Sequence, residues 1–314
     1  MTGQARCWGR LLAASTAFFA VFFASSTFAE TVLTLRADFV ERHKNKITID
    51  ADYIVDKAHA RPNPPAKDGD MHVAGRAAQI GLATVAEIQN AAEMTAAVDR
   101  VHAVEGTGQP IKITGVWRIW PEHGGEQQHV QGSALSPFDT TNPPHVFQIH
   151  PVTVLDGADL LASLHPVNGF QTKDADVAFS AYERTRSRIS TGGNTITISM
   201  PMAGYNYVEF LFRLSKREAK TNDGEFVFGN LLDLDGEMKV QNRRVAFVKG
   251  SEPDQKQAAM QPGNCLHLLG MPRVDLSLVS WRVRNAARRP DVLNWGLPYE
   301  IVAVGVYGDP TQTC

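Results

Sequence analysis

The sequence predicts a mainly β protein made of two domains. Many short segments alternate apolar and polar residues, as residues 47–53 do, and this period is typical of strands with one buried face. Gly, Pro, Asn and Asp residues separate these segments at short intervals, where turns are expected. A chain of 314 residues with 43% hydrophobic residues can also fill more than one core.

The first half is predicted to be a small barrel of the OB type. An alanine-rich stretch at residues 90–104 has apolar residues at helical spacing and predicts one short helix. Five strands and one helix suit a closed or partly closed OB-like barrel. The predicted strands cover residues 47–53, 68–76, 84–88, 111–120 and 145–155.

The second half is predicted to be a β-sandwich-like antiparallel domain. Residues 164–190 have mixed charge and little periodicity, so we interpret them as a linker between domains at 30–163 and 191–314. Asp-Gly pairs at 223 and 235 mark tight turns. The predicted strands cover residues 195–200, 207–214, 225–228, 238–249, 274–283 and 299–307.

Residues 1–29 have the composition of a signal peptide. Arg6 and Arg10 precede a mostly apolar stretch, and small residues lead to a cleavage site after Ala29. The apolar stretch is shorter than the ~20 residues that a membrane-spanning helix needs. We therefore expect a periplasmic or secreted mature chain without a transmembrane segment. Cleavage removes two arginines and shifts the net charge from −2 to −4, which does not favour nucleic acid as a partner.

Two cysteines remain after cleavage, Cys265 and Cys314. In an oxidising compartment such a pair predicts one intramolecular disulfide, the alternative being two unpaired thiols. The bond closes a loop of roughly 50 residues and stabilises the fold by about 4 kcal/mol on the chain-entropy model.

A polar segment of the first half is the strongest candidate site. Asp68, Asp70 and His72 alternate, so they share one face if the chain is extended there. With Glu122 and His150 they form a candidate set of ligands for a divalent metal, which is the one cofactor the sequence indicates. In the alternative interpretation the aspartates cap a turn, and Asp70 and His150 hydrogen-bond in a buried network that holds the barrel together.

Histidines and aromatic residues near this segment offer two kinds of function. His123, on a glycine-rich loop, and His72 are the candidate general acid and base of an enzyme. Trp120 and Arg118 share a strand face and, with Arg76, are the candidate ligand-binding residues, because an exposed indole stacks on a base or a sugar. Burial of that face against the second domain is the alternative.

A basic cluster precedes Pro290 in the second half. Arg282, Arg284, Arg288 and Arg289 form either an anion contact or a solvated face. The chain has no phosphate-binding glycine loop, no serine nucleophile elbow and no dinucleotide fingerprint. These absences argue against a common α/β hydrolase and against a nucleotide or dinucleotide cofactor.

Ordered segments of the first half carry a family resemblance. Residues 35–157 resemble exported bacterial proteins of uncharacterised function with an OB-like barrel, in which the residue two before the His-Pro pair is usually Glu and not Gln148. A more distant similarity is to staphylococcal-nuclease-type OB folds, where an Asp-Gly-Asp segment and a Pro-Glu pair contribute to a metal site. The resemblance implies a barrel. The segments are Lys67–His72, Val85–Ile88, Ile113–Trp117, Glu122–Gly124 and Ile149–Val152.

The sequence thus favours an exported binding protein that holds an oligosaccharide, a protein or another oligomer on the OB-like barrel or on the loop at 122–144. One alternative is a metal-dependent phosphodiesterase, and a second is a structural envelope protein. Both the metal site and the acid/base site require acids and imidazoles distant in the chain to meet in a pocket that water can reach.

Overall fold

Strands dominate the computed structural model, which describes residues 30–125, 127–201 and 204–314. The predicted signal peptide lies outside the described residues, and within them no helix is long and apolar enough to cross a membrane. The strands are β1 Glu30–Arg36, β2 Thr48–Ala58, β3 Met71–Arg76, β4 Thr84–Ile88, β5 Pro110–Ile119, β6 Gln128–Val130, β7 Phe147–Leu155, β8 Ala158–Asp159, β9 Lys173–Asp174, β10 Arg188–Gly192, β11 Thr195–Pro201, β12 Val208–Thr221, β13 Gly224–Leu232, β14 Met238–Val248, β15 Cys265–Val274 and β16 Tyr299–Val306. The α-helices are α1 Ala37–His43, α2 Thr95–Val104, α3 Ala175–Arg184, α4 Glu252–Ala258 and α5 Leu276–Asn285.

The first half forms the predicted OB-like barrel. Its strands close in the order β2-β3-β4-β7-β5, with β5 returning to β2. The neighbours β4 and β7 run parallel, and the other pairs in the barrel run antiparallel. Helix α2 lies between β4 and β5, where the sequence predicts the one short helix.

The second half is also rich in antiparallel strands, but it closes into a barrel instead of the predicted pair of facing sheets. Its strands follow the order β12-β13-β14-β16-β15, which repeats that of the first barrel, including one parallel pair. Closure depends on β12, because its first part pairs with β15 and its longer second part pairs with β13. Two register shifts bend this strand, as bulges do, so that it serves both neighbours.

One predicted strand, at residues 274–283, is wrong because most of it lies in helix α5. Asp275 caps the helix, and its Oδ1 accepts the N–H of Leu278 at 2.9 Å. Leu276 and Val279 are buried three positions apart, a helical spacing that competes with the apolar-polar alternation of the same residues. Strand β15, just before this helix, was missed.

A separate sheet joins segments from both halves. Its strand order is β10-β11-β1-β6, and β1 pairs antiparallel with β11. Residues 164–190, predicted as a linker, contain β9, helix α3 and the start of β10. Cys265 and Cys314 lie at disulfide distance, with their Cα atoms 5.5 Å apart, which confirms the predicted pairing.

The two barrels pack through the outer faces of equivalent strands. A buried apolar layer between them contains Val116 of the first barrel and Met271 and Val302 of the second. Tyr207, which precedes β12, belongs to the same layer. The outer faces of both barrels are therefore partly removed from solvent.

Two buried arginines connect the barrels reciprocally. Arg118 on β5 donates its Nε to the carbonyl of Pro272 at 2.9 Å. Arg273 on β15 donates its Nη1 to the carbonyl of Trp117 at 2.9 Å. Each arginine thus binds the residue that precedes the other, and both side chains are at most 1% exposed. The contact fixes one relative placement of the two barrels.

Candidate functional site

A buried polar cluster lies on the outer face of the first barrel, beneath the second. Asp70, Glu87 on β4 and His150 on β7 are each at most 1% exposed. His150 Nε2 lies 3.2 Å from Asp70 Oδ2, and its Nδ1 lies 3.4 Å from Glu87 Oε2. The hydroxyl of Tyr207 donates to Asp70 Oδ2 at 2.8 Å and lies 2.8 Å from His150 Nε2. The predicted partners Asp70 and His150 therefore meet, but away from solvent.

His72 connects this cluster to the protein surface. Its Nε2 lies 3.3 Å from Glu87 Oε2, and its side chain is 13% exposed. Its ring stacks on that of His59, with the ring centroids 4.5 Å apart. Asp70 and His72 thus face the same cluster, as the alternating pattern predicts.

Asp68 does not join them. Its Oδ1 accepts the backbone N–H of Asp70 at 3.1 Å and the side-chain amide of Asn63 at 2.8 Å. This carboxylate caps the turn that enters β3, because short side chains of this type bond the backbone two residues ahead. The capping interpretation is correct for Asp68, and its predicted role as a metal ligand is not supported.

The three buried residues have the composition of a metal site but not its geometry. Ligand atoms of Asp70, Glu87 and His150 lie within 4.8 Å of one another. However, His150 directs one ring nitrogen toward each carboxylate, so the imidazole lies between them. A metal ion needs its donor atoms to converge on one centre. In this arrangement the imidazole, and not an ion, joins the two carboxylates, and the predicted ligand Glu122 is not among the three.

Burial sets the protonation of the cluster. Removal from water raises the pKa of Asp70 well above its usual value, and the nearby Asp68 carboxylate adds to the effect. Burial also lowers the pKa of His150 to about 4. Both shifts favour neutral forms, so Asp70, His150 and Tyr207 form a neutral hydrogen-bond network that joins the two barrels.

A second series of polar contacts leads from Glu87 toward the surface. Gln148 donates its Nε2 to Glu87 Oε1 at 2.6 Å, and its Oε1 accepts a hydrogen bond from Arg118. Arg118 Nη2 lies 3.4 Å from Glu122 Oε2, whose side chain is 23% exposed. Glu122 therefore reaches the network only through Arg118.

The two histidines predicted as general acid and base do not meet in one site. His72 contacts Glu87, whereas His123 stacks on His145 with the ring centroids 5.0 Å apart. Burial lowers the pKa of His123 and brings the pKa of His145 to about 3. Both imidazoles of the stacked pair are held in the neutral form at pH 7.

The predicted ligand-binding residues of the first barrel do not form an open surface. Trp120 and Arg118 are 2% and 1% exposed, and the indole of Trp120 packs edge-on against Tyr182 of α3 at 5.3 Å. The alternative of burial against the second domain holds for Arg118, which bonds Pro272, whereas Trp120 packs against α3 in the segment predicted as a linker. Arg76 lines a cleft of about 570 Å³, but its guanidinium is held at two nitrogens by Asp56, each at 2.8 Å.

The second barrel carries an open groove of about 430 Å³ between β13–β14 and helix α5. Trp281 on α5 is 37% exposed, and its ring centroid lies 6.3 Å from that of Trp295. Phe228 and Tyr299 add two further aromatic rings to the lining. Aromatic planes beside a few polar groups are typical of small-molecule sites.

Cations lie against the aromatic rings of this groove. Each cation is attracted to the face of its ring, which places positive charge next to flat apolar surfaces. Carboxylates of Glu218 and Asp275 also line it. The cation–ring distances are 4.1 Å for Arg243 and Tyr299, 4.8 Å for Lys216 and Phe228, and 4.9 Å for Arg289 and Trp295.

No protein-family model matches this chain, and no curated protein shows significant similarity to it. The residues that sequence reasoning missed are Glu87, Tyr207, Trp281 and Trp295. A signal existed for Glu87, because it is the one charged residue in an otherwise uncharged strand. A signal also existed for the groove, because the basic cluster at 282–289 adjoins both tryptophans in sequence.

Proposed function

We propose that this chain is an exported binding protein that holds an oligosaccharide in the groove of its second barrel. The carrying observation is the exposed indole of Trp281 beside Trp295 in a cleft of about 430 Å³. Small-molecule sites span roughly 300–1,000 Å³, so the cleft has room for a few sugar units. OB barrels use such outer faces for oligosaccharides and oligonucleotides.

The charges of the groove favour a saccharide over nucleic acid. Glu218 and Asp275 line it beside Arg243 and Arg244, so the lining carries no net positive charge that would attract a chain of phosphates. The same carboxylates accept hydrogen bonds from sugar hydroxyls. The whole chain also carries a net charge of −2, which opposes binding of a polyanion at long range.

Two clefts on the first barrel are weaker candidates. One, of about 470 Å³, lies at the loop predicted to hold the ligand, and Phe138 is the aromatic residue among its described lining residues. The other contains Arg76, whose charge Asp56 already neutralises. Neither has a tryptophan among its described lining residues.

The metal-dependent phosphodiesterase receives less support. That reaction needs carboxylates and an imidazole open to water. Asp70, Glu87 and His150 are buried beneath Tyr207, and the imidazole of His150 lies between the two carboxylates. The geometry of this cluster supports a structural role at the contact between the barrels.

Export is part of the proposal. The paired Cys265 and Cys314 are of the kind that persists in oxidising compartments. Cleavage after Ala29 is checked by mass spectrometry of the mature protein. The resemblance of the first barrel to exported OB-like proteins agrees with this location.

Titration of intrinsic fluorescence with short oligosaccharides tests the binding function. Ligand is expected to quench the indole of Trp281, and Trp281→Ala is expected to weaken binding about tenfold, because the ring loses its stacking partner. Trp120→Phe is the matched control, since Trp120 is buried in the first half, and it should bind as the wild type does. Unchanged affinity in Trp281→Ala would refute this site.

A further inference from the structure

Arg282 is a buried guanidinium that lacks an anionic partner among the described residues. It is 4% exposed, and its Nε and Nη1 contact no hydrogen-bond acceptor there. Burying a cation without a partner costs several kcal/mol, so buried arginines nearly always face a carboxylate or a phosphate. Arg244 and Arg273, which are equally buried, share the carboxylate of Glu300.

Arg282 adjoins the groove but is not one of its lining residues. It follows Leu278 by one helical turn on α5, and Leu278 lines the groove. Its guanidinium lies 6.0 Å from the ring centroid of Trp295, which lines the groove as well. The unpartnered charge therefore lies next to the groove, beside the indole of Trp295.

The charged groups around Arg282 do not neutralise it. Asp275 of α5 and Arg243 of β14 act on it with opposite signs, and burial lowers its pKa to about 10. It therefore keeps its charge at pH 7. Asp275 is already engaged, because it caps α5 and lies 3.7 Å from Arg244.

We propose that Arg282 forms an anion subsite and that the ligand of the groove is a carboxylate-bearing oligosaccharide. This inference rests on the proposed function, since it names the ligand class of the same groove. A planar guanidinium presents two parallel N–H donors that match the two oxygens of a carboxylate. Trp281 and Trp295 stack on the sugar rings while Arg282 pairs with the acid group of a uronate.

Isothermal titration with a neutral oligosaccharide that carries one galacturonate residue, and with the same oligosaccharide methyl-esterified at that residue, tests this subsite. The two probes differ only in the acid group. The wild type is expected to bind the acid about tenfold more tightly than the ester, because a charged hydrogen-bond pair is added. In Arg282→Gln the affinity for the acid should fall to that for the ester, whose affinity should not change. Arg288→Gln, an exposed arginine nearby, should keep the preference.

The possible results distinguish failure of the anion subsite from failure of the oligosaccharide function. Equal binding of acid and ester by the wild type overturns the anion subsite alone, as does an Arg282→Gln variant that loses both ligands equally. Binding of neither probe overturns the subsite and the oligosaccharide function together, as does tighter binding of a single-stranded oligonucleotide. If Arg282→Gln does not fold, the salt dependence of binding is measured with the wild type instead. Added salt should weaken only the binding of the acid.

Discussion

The two barrels share one strand order but use their equivalent outer faces differently. On the first barrel the face around Glu87 and His150 is buried against the second and filled with hydrogen-bonded polar groups. On the second barrel the same face is buried at Phe226 and Ala246 and opens at Phe228 into the groove. One architecture thus supplies a docking face in the first half and a candidate binding face in the second.

Two equivalent arginines of the barrels differ in where their charge is balanced. Arg118 stands opposite Gln148 in the β5–β7 pair, and Arg273 stands opposite Glu300 in the β15–β16 pair. Arg118 therefore has a neutral buried partner and the partly exposed Glu122, whereas Arg273 has a buried carboxylate. The charge of Arg273 is balanced inside the protein, and that of Arg118 is balanced near its surface.

Glu300→Gln is expected to have the largest effect. It gives the second barrel the amide that the first barrel has at Gln148, but it leaves Arg273 and Arg244 buried without this carboxylate. Loss of one partner of a buried ion pair costs about 3–5 kcal/mol. Urea denaturation should show this loss in the free energy of unfolding.

Glu122→Gln on the first barrel is the matched control. Its carboxylate is 23% exposed and 3.4 Å from Arg118, so its loss should cost no more than about 1 kcal/mol. Equal losses in the two variants would contradict the view that the two arginines are balanced differently.

Gln148→Glu is the converse change and should have an intermediate effect. The new carboxyl pairs with Arg118 but loses the donor that now binds Glu87 Oε1 at 2.6 Å. Two carboxyls at this distance cannot both ionise, so the pKa of one is raised. A raised pKa stabilises the folded state only at low pH, and the variant should lose about 1–3 kcal/mol at pH 7 and less at pH 5.

Gln148→Met separates the effect of the new charge in Gln148→Glu from the effect of the lost hydrogen bond, because it also removes the donor to Glu87. Its loss of stability in urea denaturation should stay constant between pH 5 and pH 7. If Gln148→Glu shows the same constant loss, the two carboxyls do not share a proton.

The strands of the first barrel were predictable, because alternation of buried and exposed side chains is a local pattern. In strand β2, for instance, buried and exposed residues alternate from Ile49 to Tyr53, within the predicted residues 47–53. Closure of the second barrel was not predictable in this way. It requires β12 to continue past residue 214 through the exposed residues 215–220, and a polar exposed stretch has the composition of a loop.

The candidate site shows the same limit. Polar residues within strand patterns revealed Asp70, His72 and His150, since such residues need a reason to be there. Their burial depends on Tyr207, which is far away in sequence and belongs to the other half. The groove was missed because Trp281 fell in a predicted strand, whereas helix α5 places it beside Trp295.

Acid should act on the two halves with opposite signs. Burial lowers the pKa of His43 to about 4, of His145 to about 3 and of His150 to about 4, all from 6.5. Unfolded imidazoles take up protons first, so the first half loses stability as the pH falls from 6.5 toward 4. The slope is about 1.4 kcal/mol per pH unit for each histidine. Asp70 opposes this loss of stability. Because its pKa is raised, the folded state takes up one proton there as the pH falls.

In the second half, Asp275 makes the folded state more stable as the pH falls. Burial raises its pKa from 3.8 to about 6, so its contribution is full below pH 3.8 and is lost as the pH rises through 6. Hydrogen exchange at pH 7 and pH 5, corrected for intrinsic rates, should show β3 and β4 losing protection relative to β15 and β16. His145→Asn should reduce the loss in the first half, because it removes one of the five imidazoles there whose pKa burial lowers. Parallel losses in both barrels, or no change with His145→Asn, would mean that buried imidazoles do not set the acid sensitivity of the first half.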